Sequence, residues 1–251
     1  MAMRISVIIP ALNEVENIRP CLHSVVSQQG LHEAIVVDGG STDGTPALAA
    51  GSARVISAPR GRATQMNAGA SVATGDVLLF LHADSRLAGD ALPRLQAALS
   101  DARFVGGTFS LRFDAQHPLL RFYSFCTRFR FRLFHFGDQG IFVRRAVFEQ
   151  MGGFAEIPFL EDLEFLRRLS RAGSVALARA AVTTSARRFL QHGIVRQQLW
   201  NIALVAAYQL GARPETLARF YSLHTSLPAE SRKHAMLRPT GAAEPRETPN
   251  A

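Results

Sequence analysis

At 251 residues, 47% hydrophobic and 19% charged, the chain can bury roughly 70–75% of its unfolded surface without disulfide or metal staples. Its Gly, Pro and charge content exclude collagen-like, coiled-coil and wholly disordered classes. The charge is lopsided, with 28 basic against 20 acidic residues, net +8, and Lys233 as the sole lysine. An arginine surplus suits nucleic acid, a membrane surface or a phosphate-bearing substrate, since the guanidinium forks onto phosphate in a way lysine does not.

Cys21 and Cys126 lie far apart, form no CxxC and have no neighbouring His pattern, so reduced thiols are expected rather than a disulfide frame or zinc site. Met1-Ala2-Met3-Arg4 runs directly into Ile5-Ser6-Val7-Ile8-Ile9-Pro10, too short for a signal-peptide core. The best apolar stretch, Ile202 to Leu210, is about half of the roughly 18–20 residues that span a bilayer. These features predict a cytoplasmic protein that touches a membrane at most from one side.

Ile5 to Ile9, closed by Pro10, reads as a buried strand. Asn13 or Glu14 then opens a helix to about Gln29, with Ile18, Leu22, Val25 and Val26 at helical spacing and Gly30 as its stop. A second strand, Ala34 to Val37, leads into Asp38-Gly39-Gly40-Ser41-Thr42-Asp43-Gly44-Thr45 and a helix from Pro46 to Ala50. A strand at Arg54 to Ser57, a helix at Gln65 to Ala73, a strand at Val77 to Leu81 and a helix at Ala91 to Leu99 follow. This alternation predicts a Rossmann-like, mostly parallel α/β sheet flanked by helices, with ligands at the carboxyl ends of its strands. Beyond residue 100 come strands at Val105 to Phe113 and Gly140 to Val143, and helices at Arg145 to Met151 and Asp162 to Ala172. Two strands, Val175 to Leu177 and Ala181 to Thr184, precede a long helix from Ile194 to Leu210. From about Thr225 the chain is rich in Pro, Glu and Arg and reads as a disordered tail.

Acids gather where these strands end. Asp38, Asp43 and Asp84 share one rim with Asn13-Glu14, and three carboxylates there are costly without a cation or hydrogen-bond donors among them. A divalent metal with a nucleotide would meet that need. Alternatively, Asp38 and Asp43 cap the helix that begins near Pro46.

Several motifs in order carry a family resemblance: Val-Ile-Ile-Pro-Ala-Leu-Asn-Glu (7–14), Val-Val-Asp-Gly-Gly-Ser-Thr-Asp-Gly-Thr (36–45), Asn67-Ala68-Gly69 with Gly75-Asp76, and Phe80-Leu81-His82-Ala83-Asp84. Gly140-Ile141-Phe142-Val143-Arg144-Arg145, Gly152-Gly153-Phe154 and Phe159-Leu160-Glu161-Asp162 extend it. Over roughly residues 4 to 190 the chain resembles the family-2 glycosyltransferases of the GT-A fold, and is most similar to the short bacterial arsenosugar-biosynthesis-type group. The resemblance implies one domain over 1–224, with a nucleotide-binding half (4–100), an acceptor half (101–190) and C-terminal helices (191–224) before a tail at 225–251. It implies that Asp38 recognises the base, that Pro10, Ala11 and Glu14 line the nucleoside pocket, and that Asn67 contributes to donor binding. Asp84 matches the last acid of the Asp-x-Asp motif, which holds Mn2+ or Mg2+ against the sugar diphosphate. Asp162 matches the general base of an inverting hexosyl transfer. Position 82 is His where many relatives carry the first Asp, and position 39 is Gly where a second Asp is common. His82 therefore suits metal ligation, a ribose contact or an ordinary strand-end role.

The chemistry asks for these residue types on its own account. Breaking a sugar–phosphate bond leaves a more negative diphosphate, which a metal on Asp84 and arginines such as Arg60 and Arg62 would stabilise. The acceptor hydroxyl must lose a proton as it attacks, so a carboxylate such as Asp162 is needed on the other face. Arg187 and Arg188 follow the last predicted strand, suited to the diphosphate or to solvent. Seven of the 21 aromatic residues fall between Phe122 and Phe136, interleaved with Arg121, Arg128, Arg130 and Arg132. If helical, Phe122, Phe125, Phe129 and Leu133 share a stripe, which suits a helix covering the sheet, an element on anionic lipid, or an acceptor surface. The expected partners are a nucleotide-sugar donor (UDP, GDP or TDP), an acceptor that is lipid-linked or small, and a peripheral membrane contact, with no nucleic acid. A sugar nucleotidyltransferase is the competing enzyme, but it would want a Gly-rich basic loop where Ala11-Leu12-Asn13-Glu14 stands. A non-enzymatic module for a membrane or nucleic acid would leave the strand-end acids unexplained.

Overall fold

The computed structural model describes residues 3–127 and 139–226. Its first half holds β1 (Ile5–Ala11), α1 (Ile18–Val26), β2 (Leu31–Asp38), α2 (Thr45–Ala49), β3 (Arg54–Ser57), α3 (Arg62–Val72) and β4 (Val77–Phe80). Then follow β5 (Ser85–Leu87), α4 (Ala91–Leu99), β6 (Phe104–Phe113), α5 (Pro118–Cys126), β7 (Ile141–Arg144) and α6 (Arg145–Gln150). The remainder is α7 (Glu161–Ala172), β8 (Ser174–Thr184), α8 (Arg187–His192), α9 (Ile194–Gln209) and α10 (Pro214–Ser226).

All eight strands form one sheet in the order β3-β2-β1-β4-β7-β6-β8-β5. β1 runs parallel to both β2 and β4, and β2 parallel to β3, as the strand–helix alternation predicts. The second half mixes directions: β7 is antiparallel to β4 and β6, β8 is parallel to β6, and β5 is antiparallel to β8.

The pleat sorts the apolar strands between two cores. Val7, Ile9, Val36, Leu79 and Phe142 face one way, into a core shared with Leu22, Val25 and Leu95 of α1 and α4. Ile8, Ile35, Val37, Leu78, Phe80 and Val143 face the other, against Met66, Phe148, Phe165 and Leu169 of α3, α6 and α7. Strands covered on both faces need unbroken apolar runs, which is why these read so clearly in the chain.

Several expectations shift. α1 begins at Ile18, because the backbone N–H groups of Asn13, Glu14 and Val15 are taken by Ser41, Thr45 and Asp43, respectively. α3 starts three residues earlier than expected, at Arg62. The two strands expected between Val175 and Thr184 are one, β8, with an irregularity opposite Phe109 and Ser110. β5 and α8 were not anticipated, while α10 falls among the C-terminal helices expected over 191–224 and runs two residues past the expected start of the tail. α5 turns Leu120 inward and leaves Phe122 and Phe125 exposed, so of the three readings of the aromatic stripe the helix that covers the sheet with it is not the one seen, while Phe129 and Leu133 lie outside the described residues. So do residues 227–251 of the expected tail. Among the described residues, no helix is long and apolar enough to cross a membrane.

Candidate active site

Strand order reverses at β1, between β2 and β4, and that is where an open α/β sheet leaves a crevice at its carboxyl edge. Ala11 at the end of β1 stands in register with Asp38 at the end of β2. Asp38 is buried, and its carboxylate accepts from the N–H groups of Gly40 (3.0 Å) and Ser41 (3.1 Å). Asp43 works as a cap and a clasp. Its Oδ1 accepts from the Thr45 hydroxyl (2.6 Å) and N–H (3.0 Å), and its Oδ2 from the Val15 N–H (3.0 Å). The Thr45 hydroxyl and these N–H groups hold its carboxyl below the usual carboxylate range.

Beneath the rim lies Gln65 of α3, a residue with no sequence signal for the role. Its buried amide donates to the carbonyls of Ala11 (2.9 Å) and Val37 (2.8 Å), tying the ends of β1 and β2 together. A Cβ on Gly39 would stand 3.0 Å from this amide. Gln65 thus occupies the space beside Gly39.

After β4 the chain turns through His82-Ala83-Asp84. The Cys21 thiol of α1 donates to the His82 carbonyl (3.6 Å), and burial pushes that thiol up, away from thiolate chemistry. His82 Nε2 stands 3.7 Å from Asp162 Oδ2, an ion-pair distance rather than a hydrogen bond. Asp162 sits in the first turn of α7, only 5% exposed, where the helix dipole favours negative charge. Its neighbour Glu161 is equally buried, with Oε1 2.6 Å from Arg62 Nε. Burial, and then the charge of Asp162, push the Glu161 carboxyl up, while Arg62 opposes them. Leu160, with φ +62°, turns the chain so that both acids enter the helix at the site.

C-terminal helices close the far side. A cleft is lined by His82, Asp84, Thr184, Arg187, Arg188, Gln197, Asn201 and Tyr221, among others. Arg188 Nη1 donates to the Tyr221 hydroxyl (2.7 Å), and the Tyr221 ring stacks on Phe159 (4.7 Å between centroids), which holds α10 over the approach to α7. Gln197, 3% exposed, donates to Asn201 Oδ1 (2.8 Å), while its own Oε1 has no hydrogen-bond partner among the described residues. A buried acceptor in a cleft wall calls for a donor from a ligand or water.

Most of the expected site residues therefore converge. His82, Asp84 and Arg187 line one cleft. Glu14 reaches it through Arg187 (3.8 Å) and Asp162 through His82, while Arg62 pairs with Glu161, the chain neighbour of Asp162. Pro10, Ala11 and Asp38 lie on the rim. Asn67 departs from expectation. Its amide donates to the Phe154 carbonyl (2.9 Å) and accepts from the Phe154 N–H (2.9 Å), so it holds the turn at 152–154. Sequence reasoning missed Gln65, Gln197, Asn201 and Tyr221, and gave Glu161 no role. Gln197 and Asn201 carried a readable sign, since they form an i,i+4 amide pair in a largely apolar helix. Among the described residues, no three His, Cys, Asp or Glu side chains converge as a self-sufficient metal cage.

Comparison with known proteins matches residues 6–152, more than half of the chain, to the model described as glycosyl transferase family 2. Glycosyltransferase AglE of Haloferax volcanii is 33% identical over 115 residues, covering 41% of this chain and 36% of that protein. The PGL/p-HBAD biosynthesis glycosyltransferase of Mycobacterium bovis is 39% identical over 106 residues, 38% of this chain and 41% of that one. The chain thus spans about two fifths of the length of the curated relatives it matches. Among solved structures, the mannosyltransferase PcManGT from Pyrobaculum calidifontis, in complex with GDP-Man and Mn2+, superposes with a TM-score of 0.60 at 20% identity, covering 93% of this chain and 84% of that one. S. aureus TarS 1-349 in complex with UDP gives 0.60 at 19% identity, covering 95% and 76%. None of these names bears on the arsenosugar-biosynthesis-type group. The mixed sheet flanked by helices is the GT-A architecture of these structures, and with the family match over residues 6–152 the chain belongs to glycosyl transferase family 2.

Proposed function

We propose that the protein moves a hexose from a nucleoside-diphosphate sugar to an acceptor hydroxyl, with inversion, and that Asp162 is the general base. The observation that carries this is the 3.7 Å approach of His82 to Asp162, which joins the strand-end motif to a buried aspartate at the start of α7. Support also comes from neighbours of the same fold, one in complex with GDP-Man and Mn2+ and another with UDP. A hydroxyl above Asp162 would lose its proton to this carboxylate as its oxygen attacks the anomeric carbon, and one displacement with one base inverts that centre. Glu161 and Arg62 hold the start of α7 in place beneath it.

On the donor side, Pro10, Ala11, Glu14 and Asp38 form the nucleoside wall, and Arg187, and Arg62 if it leaves Glu161, neutralise the diphosphate. Asp84 and His82 would hold Mn2+ or Mg2+, which supplies Lewis-acid stabilisation of the leaving diphosphate. A carboxylate and an imidazole from one turn suit an ion that takes its remaining ligands from phosphate and water. Gln197 Oε1 and Asn201 are placed to accept from sugar hydroxyls.

The test is binding of UDP, GDP and TDP with and without Mn2+, followed by transfer assays on Asp162→Asn and Asp84→Asn. Asp162→Asn should lower kcat at least about 100-fold, the scale of a lost general base, with nucleotide affinity unchanged. Asp84→Asn should lose the Mn2+ dependence of nucleotide binding. Failure of all three nucleotides to bind would refute the proposal.

A further inference from the structure

α5, α8 and α9 pack on one another around a small core of Leu120, Ala186 and Phe189, with Tyr123 and Ile194 against it. The Phe189 ring of α8 meets Phe113 (5.1 Å) and Tyr123 of α5 (6.4 Å), so the three helices form one body. Their outer sides are unusually apolar. On α9, Val195, Leu199 and Ile202 fall at i, i+4 and i+7 and are all exposed, Leu199 to 62%. On α5, Leu119, Phe122 and Phe125 repeat at i, i+3 and i+6, with Phe122 59% exposed, and Leu190 of α8 is as open. Seven exposed large apolar side chains on one three-helix body are more than the singly scattered ones an ordinary surface carries, and they point to an interaction surface.

Charge identifies the occupant. α5, α8 and α9 contain no Asp or Glu, and carry Arg121, Arg187, Arg188 and Arg196. Two such faces would repel each other, which argues against a second copy of the chain. An anionic lipid surface supplies both requirements, acyl chains for the exposed Leu, Ile and Phe, and negative headgroups for Arg121 and Arg196, since Arg187 and Arg188 line the cleft.

We infer that the α5–α8–α9 face docks on anionic membrane lipid. Arg187, Arg188, Phe189, Gln197 and Asn201 of these same helices line the cleft, so docking sets the cleft beside the lipid surface. If the proposed glycosyl transfer holds, an acceptor carried on lipid reaches Asp162 from there. The docking itself does not depend on that reading.

The experiment is flotation of the full chain with phosphatidylglycerol-containing vesicles and with pure phosphatidylcholine vesicles, at 0.05 and 0.5 M salt. The parent chain should float with anionic vesicles at low salt, and markedly less with neutral vesicles or at high salt. Leu199→Glu and Phe122→Glu should each lower the partition coefficient about tenfold or more, the scale set by withdrawing one large apolar side chain from lipid. Nucleotide binding in solution should be unchanged in both variants, which separates lost docking from lost fold and from failure of the transferase reading. Absence of flotation with anionic vesicles at low salt overturns the inference. So does equal flotation of the parent and both variants, or a solution dimer of the parent that both variants dissociate.

Discussion

Replacing Gln65 tests whether the rim is held by the amide or by the sheet alone. Gln65→Leu keeps the volume and removes the donor that the Ala11 and Val37 carbonyls share. Each net buried hydrogen bond is worth about 0.5–1.5 kcal/mol, and Ala11 keeps the Gly39 N–H at 2.9 Å, so the expected loss is about 2 kcal/mol. For a domain of this size that is roughly 4–8 °C in Tm. Gln65→Glu should cost about 3 kcal/mol or more, because it sets a carboxylate against two carbonyl oxygens in a buried place. Urea unfolding followed through Trp200 fluorescence and circular dichroism gives both values. Nucleotide affinity should fall in parallel, since the amide ties together the strand ends bearing Ala11 and Asp38. A second arm uses Gly39→Ala, whose new Cβ would crowd Gln65 at 3.0 Å. Its cost should largely vanish in a Gln65→Ala background. If Gln65→Glu is as stable as the parent, or Gly39→Ala costs the same in both backgrounds, the reasoning is refuted.

Two further outcomes follow from the site. The Glu161 carboxyl lies above its ordinary value near 4.5, so the native state holds this proton more tightly than the unfolded chain does. Its contribution is therefore present at low pH and lost as pH rises from about 4.5 through the raised value; urea midpoints between pH 4 and 8 should show a decline that Glu161→Gln removes. A midpoint that instead rises over this range in the parent alone would mean that the Arg62 pair outweighs burial. Asn67→Ala deletes both bonds to the Phe154 backbone and should cost about 2 kcal/mol with nucleotide affinity intact. Unchanged stability with weakened nucleotide binding would return Asn67 to the donor site.

The first half of the fold was legible because β1, β2 and β4 are covered on both faces, so their apolar runs are uninterrupted and end sharply at Pro10, Asp38 and His82. Helix starts were less so. Asn13 to Val15 read as a helix opening, yet their N–H groups are claimed by side chains 28 to 31 residues away, which local propensity does not register. β8 was divided because the sequence around Arg179 interrupts its apolar pattern, although pairing with β6 carries the strand across. The apolar stripe of α5 left its inward face open among three readings, and only packing shows that Leu120 is buried while Phe122 and Phe125 point outward.

By itself, the sequence determined the strand–helix alternation, the acids at the strand ends and the kinship with glycosyl transferase family 2, because each is written in short contiguous runs. Tertiary structure decided the partnerships. Asp162 meets His82 across 80 residues of chain, and Asn67 turns away to Phe154, 87 residues on. Gln65 reaches up to two strand ends, and α8 to α10 fold back over the cleft. A side chain's identity limits what bonds it can make. Which of them it makes depends on what the sheet order and the returning helices bring within about 3 Å.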